Sequence, residues 1–135
     1  MYVDGFLVPV QKARVAEYLR FAQEMAELWL KHGALSVVEA LSVVEALSVV
    51  EAMADDVPDG HLTSFPMAVK LEPGEVVFFS WVTYADRAAR DAVAKAVMDE
   101  AGARISAMMK DNPPMNPQRM VWGGFASVLV AEAQG

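Results

Sequence analysis

The chain contains no cysteine. That excludes disulfides, thiolate ligands and thiol nucleophiles, and it fits a reducing, cytoplasmic setting. Histidine is almost as scarce, with His32 and His61 the whole imidazole supply. A zinc site would need both of them plus carboxylates from distant segments, so no metal is expected. Basic charge is thin and scattered: eleven Lys and Arg stand against eighteen Asp and Glu, for a net charge of −7. A nucleic-acid or anionic-membrane surface needs a basic patch, and neither partner is expected here. No apolar run reaches the roughly 20 residues of a bilayer span. The opening MYVDGFLVPV lacks the basic-then-apolar order of a signal peptide.

Chemical signatures are missing too. There is no Gly-x-Ser-x-Gly nucleophile motif. DDVPDG (55–60) fails as a calcium loop, because Val57 occupies a ligand position and Pro66 stands where the closing glutamate belongs. WGGF (122–125) does not precede a helix and is no phosphate cradle. No cofactor is expected.

What is present is apolar. Hydrophobic residues make up 55% of 135 positions, enough for one domain, 1–135, with a sizeable core. YVDGFLVPV (2–10) is β-branched and aromatic and reads as a strand. From Gln11 the period changes: Val15, Tyr18, Leu19, Ala22, Met25 and Trp29 recur at helical spacing. Gly33 then marks an expected helix end near residue 32, which puts His32 in the last turn, where a cation suits the helix dipole. Residues 65–84 hold a short extended piece, a Pro73-Gly74 turn and a strand from Glu75 to Tyr84. Asp86 is a suitable N-cap for a helix over about 87–100, with Gly102 ending or breaking it. RMVWGGFASVLVAE (119–132) reads as the last strand, where Gly123-Gly124 suggest a bulge or a close backbone approach. The order β-α-β-β-α-β predicts an α+β, ferredoxin-like fold with an antiparallel sheet and helices on one face. The other face, including Phe78, Trp81 and Phe125, then needs cover, and a homodimer supplies it.

One segment fits no ordinary pattern. Leu-Ser-Val-Val-Glu-Ala occurs three times without a substitution between Leu35 and Ala52. Six is even, so a strand keeps its parity through every copy, with Leu35, Val37, Leu41, Val43, Leu47 and Val49 on one face. A helix would turn each copy by about 240° from the last. The pattern favours strand, although twenty extended residues would span about 66 Å, well beyond a usual strand. The copy nearest Met53 is expected in the sheet and the surplus between Gly33 and Leu47. The segment reads as a tandem duplication, an insertion around 35–52, without activity of its own.

MYVDGF (1–6), HGA (32–34), DDVPDG (55–60), TSFP (63–66), AVK (68–70), VVFFSW (76–81), RAARD (87–91) and RMVWGGF (119–125) together resemble the YbaA-like bacterial proteins. That is a family of unknown function placed in the dimeric α/β-barrel superfamily. The resemblance covers nearly the whole chain and implies the same fold and a dimer, but no catalytic residues. PPMNP (113–117) is more proline-rich than the family pattern, and the triplicate carries twelve extra residues.

Asp4 sits inside an apolar strand, on the parity of Tyr2 and Phe6. Gly5 and Leu7, on the other parity, suit close helix packing, which turns Asp4 towards a barrel interior. Ser80 and Tyr84 share one face of the other central strand. A carboxylate beside a phenol in an apolar cavity is a candidate base or ligand anchor, and a hydrogen-bonded structural aspartate is the competing reading. The candidate pocket is Asp4, Phe6, Ser80, Tyr84, Trp122 and His61. Two function classes stand: a dimer binding a small molecule, with cofactor-independent chemistry like the superfamily's antibiotic-biosynthesis monooxygenases as its catalytic version, and a non-catalytic, stress-associated module.

Overall fold

The computed structural model describes residues 1–39 and 46–134. Strand β1 (Tyr2–Gln11) runs through a single 3₁₀ turn into helix α1 (Val15–Glu39). Strand β2 (Ala46–Met53), the short helix α2 (Phe65–Ala68), strand β3 (Glu75–Tyr84), helix α3 (Arg87–Lys110) and strand β4 (Val121–Ala126) follow. The strands form one antiparallel sheet in the order β2-β3-β1-β4.

Strand parity divides the sheet. Tyr2, Asp4, Val8 and Val10 of β1 and Phe78, Ser80, Val82 and Tyr84 of β3 are buried on the side that meets α1 and α3. Tyr18 and Ala22 of α1 and Ala89, Val93, Val97, Ala101 and Ile105 of α3 close that core. The opposite parity carries Leu7, Phe79, Trp81, Val121 and Phe125, of which Phe79 is 46%, Val121 45% and Phe125 65% exposed.

Several expectations need correcting. Helix α1 does not stop at Gly33 but continues to Glu39. A helical glycine costs only about 1 kcal/mol against alanine, and the Ala, Leu and Glu that follow are good helix formers. His32 is therefore not in the last turn; its Nε2 lies 2.6 Å from Glu100 Oε2, tying α1 to α3 beside Lys31. Gly102 does not break α3, since Ala101 and Ile105 on either side are buried in the core. That helix ends where Asn112 takes a left-handed φ of 45° and two prolines follow. Residues 65–68 are helical, not extended, because the Ser64 hydroxyl accepts from Met67 N and caps the turn. Strand β4 is shorter than 119–132: it starts at Val121 and ends at Ala126, which pairs with Tyr2, and Ser127 N bonds Met1 O. Gly5 and Leu7 lie on the open face instead of against a helix, and Phe78, 1% exposed, is core.

The Asp86 cap is as expected, its carboxylate accepting from Ala89 N at 2.8 Å. No bulge interrupts β4, but Gly124 does mark a close approach. A Cβ there would overlap Tyr2 Oη and come within 2.6 Å of Arg90 Nη2. The proline-rich loop pairs with the end of β1 through Gln11 N to Pro114 O and Asn116 N to Pro9 O.

The triplicate behaves in two ways. Leu35–Glu39 of the first copy is helical, while Leu47–Ala52 of the third lies in β2 against β3. The third copy's place agrees with expectation. Leu41 and Val43 of the middle copy lie outside the described residues.

Candidate functional site

A cavity of about 150 Å³ lies between the sheet and the helices. Helix α1 lays Tyr18, Phe21, Ala22, Met25 and Trp29 along one side at helical spacing. The sheet contributes Phe6 and Val8 from β1, Val49 and Glu51 from β2, and Ser80 and Val82 from β3, all of one parity, joined by Val50 and Trp81 of the other parity. Met109 of α3 and Met115 and Met120 of the following loop complete it. Four methionines and several rings make a wall that adapts to the shape of an apolar guest.

Polar groups in this wall are few. The Tyr18 hydroxyl donates to Glu51 Oε2 at 2.9 Å. Burial pushes the Glu51 carboxyl above its usual range, against the opposing effect of the Tyr18 hydrogen bond. Burial and the neighbouring carboxylate push the Tyr18 phenol up as well, so it stays protonated and a donor. Ser80, 4% exposed, is the cross-strand partner of both Phe6 and Glu51.

Next to the cavity, on the same sheet face, runs a second network. Trp29 Nε1 donates to Tyr84 Oη at 2.7 Å, and Tyr84 Oη donates to Asp4 Oδ2 at 3.0 Å. Arg90 Nε stands 3.7 Å from Asp4 Oδ1, too far for a hydrogen bond, while Arg90 Nη2 donates to Tyr2 Oη at 2.9 Å. Among the described residues, Asp4 Oδ1 and Arg90 Nε are buried without a hydrogen-bond partner. Burial raises the Asp4 carboxyl, opposed first by Tyr84 and then by Arg90.

The candidate residues thus separate. Phe6 and Ser80 line the cavity. Asp4 and Tyr84 do not, but connect to it through Trp29, which belongs to both the cavity and the network. Trp122 is 62% exposed on β4, opposite Phe6, and His61 is exposed in the 54–64 connection, away from the cavity wall. Among the described residues no group of three or more His, Cys, Asp or Glu is arranged to hold a metal ion.

Residues 1–117 match the family model described as a protein of unknown function, DUF1428. The chain belongs to the DUF1428 family. It is similar to the uncharacterized protein YbaA of Escherichia coli K12, 36% identical over 128 residues that make up 95% of this chain and 97% of the relative. The uncharacterized YbaA proteins of Escherichia coli O157:H7 and Shigella flexneri match to the same extent. The DUF1428 match spans every residue of the cavity wall up to Met115 and stops before Met120 and Trp122.

Sequence reasoning missed the Tyr18–Glu51 pair and the loop methionines as site residues. The signal for Glu51 was available: it shares strand parity with Leu47 and Val49, so a strand that buries those residues carries this carboxylate inward. Met115 and Met120 gave no such sign, since a proline-rich loop has no period from which to read a side.

Proposed function

We propose that the protein is a homodimer that binds a small, mostly apolar molecule in the cavity between sheet and helices. The observation that carries this is the cavity itself, about 150 Å³ and walled by methionines and aromatic rings. Apolar cavities of comparable size are known to take up benzene-sized guests, and a few polar groups in an apolar concave wall are the usual pattern of a ligand site. Phe6 and Ser80 contact the guest, while Asp4 and Tyr84 hold Trp29 in position. Titration with toluene, followed by NMR of the methionine methyl groups, tests this. Selective shifts at Met25, Met109, Met115 and Met120 are expected, and no shift at saturating toluene would refute it.

The strand order β2-β3-β1-β4 with both long helices on one face supports a ferredoxin-like arrangement of one domain. Exposed Phe79, Val121 and Phe125 support a second copy closing over the open face to make a dimeric α/β barrel. Light scattering should give twice the chain mass at micromolar concentration, and a monomer there would sink the dimer. The perfect identity of the three LSVVEA units supports a tandem duplication in which one copy suffices for the sheet.

A further inference from the structure

Glu51 stands apart from the other buried or half-buried carboxylates. Asp4 faces Arg90, and Glu75 holds Arg119 at 2.6 Å. Glu51 has no cation beside it among the described residues, and its one hydrogen-bond donor there is the neutral Tyr18 phenol. Tyr18 of α1 bonds it and Ser80 of β3 is its cross-strand neighbour; among the cavity-lining residues only Tyr18 and Glu51 itself can titrate. A partly buried carboxylate with one neutral donor is under-compensated, because burial removes hydration that a single hydrogen bond does not replace.

We propose that Glu51, oriented by Tyr18, is the anchor for an ammonium group, so that the cavity selects small hydrophobic amines. This rests on the cavity reading above and names its ligand class. The ammonium supplies the missing positive charge at the carboxylate, and the rings of Phe21 and Trp29 offer faces that attract a cation. The apolar body of the guest lies against the methionines, and the volume limits it to one ring with a short arm. Ligands carrying a carboxylate are rejected by like charge. Alcohols can donate to Glu51 but leave its charge unbalanced.

The test uses three guests of nearly the same shape on the full chain at neutral pH: benzylamine, benzyl alcohol and toluene, by calorimetry and NMR. Benzylamine is expected to bind at least tenfold tighter than either of the others. Replacing Glu51 needs care, because a six-residue slip of β2 would present Glu45 of an identical copy in its place. The variant therefore carries Glu39→Gln, Glu45→Gln and Glu51→Gln together. It should lose at least tenfold in benzylamine affinity while toluene changes less than twofold. If toluene binds and benzylamine binds no tighter, or if benzyl alcohol binds best, the amine assignment is overturned and the cavity stands. If none of the three binds, the cavity reading fails and takes this inference with it. The comparison of guests on the unaltered chain needs no variant to fold.

Discussion

Deleting Leu35–Ala46 removes two copies of the repeat and joins Ala34 to Leu47. The cut takes the last turn of α1 and puts Ala34 in the place of Ala46 at the head of β2, and every pair from Ser48 to Met53 with β3 is kept. Trp29 packs against the core before the segment and Val49 after it, so the connection between core contacts falls from 20 residues to 8. Closing the shorter loop costs less by three-halves RT ln(20/8), about 0.8 kcal/mol. Against this stands at most the loss of the pairing to Tyr84, which Ala34 can take only by leaving α1 and which lies beyond a register irregularity at the open edge of the sheet. One such hydrogen bond is worth about 0.5–1.5 kcal/mol net, and an edge bond belongs near the lower figure. The two nearly cancel, with a small surplus in favour of the deletion. The melting temperature should stay level or rise by up to about 3 °C for a chain of this size. Thermal unfolding by circular dichroism reads this, and toluene uptake should be unchanged, because Glu51 and Val49 remain. A drop of more than about 5 °C, a change of oligomeric state or a loss of binding would show the extra copies to be working parts.

Glu51→Gln, made in all three copies, should stabilise the ligand-free protein at pH 7. Burial raises the folded-state pKa of Glu51 above its ordinary 4.5, so its contribution to stability is full below that value and lost as pH rises through the raised one. The variant, which never ionises, should gain at pH 7 and match the parent near pH 4 in denaturant titrations; a gain that persists at pH 4 would contradict this cause. Gly124→Ala should cost about 1–3 kcal/mol by overlap with Tyr2 and Arg90, whereas Gly123→Ala meets only the Phe125 ring at 3.6 Å and should be far milder in chemical unfolding. Tyr84→Phe strips the acceptor of Trp29 and the donor to Asp4, and should cost about 1–3 kcal/mol by leaving buried polar atoms unpaired. An equally stable variant would remove the network as a structural element.

The sheet strands were legible because parity and β-branched content are local properties. Tyr2, Asp4, Ser80 and Tyr84 could be put on common faces by counting residues in twos. Which of those faces meets the helices could not be counted, and Gly5 with Leu7 pointed the wrong way; they are opposite Trp81 and Phe79 on the open side. The helix ends failed for a related reason. Glycine is a weak terminator beside burial, and neither Gly33 nor Gly102 outweighs its neighbours. Leu-Ser-Val-Val-Glu makes the limit plain, being helical at 35–39 and extended at 47–51. One pentapeptide with two structures cannot be decided by its own propensities; the free edge of β3 decides for the third copy.

The loop that brings Met115 and Met120 to the cavity is buckled at both ends by guanidinium groups. Arg14 donates to the carbonyls of Asn112 and Pro113 at 2.6 and 3.1 Å. Arg119 donates to the carbonyls of Val69 and Lys70 and clasps Glu75 with both nitrogens. Those two fastenings belong to the time axis more than to affinity. If a guest binds as proposed and leaves past these methionines, it waits for one buckle to open, and Arg14→Ala or Arg119→Ala should raise entry and exit rates together and shift the equilibrium little. Residence time would then be a property of arginines outside the cavity wall.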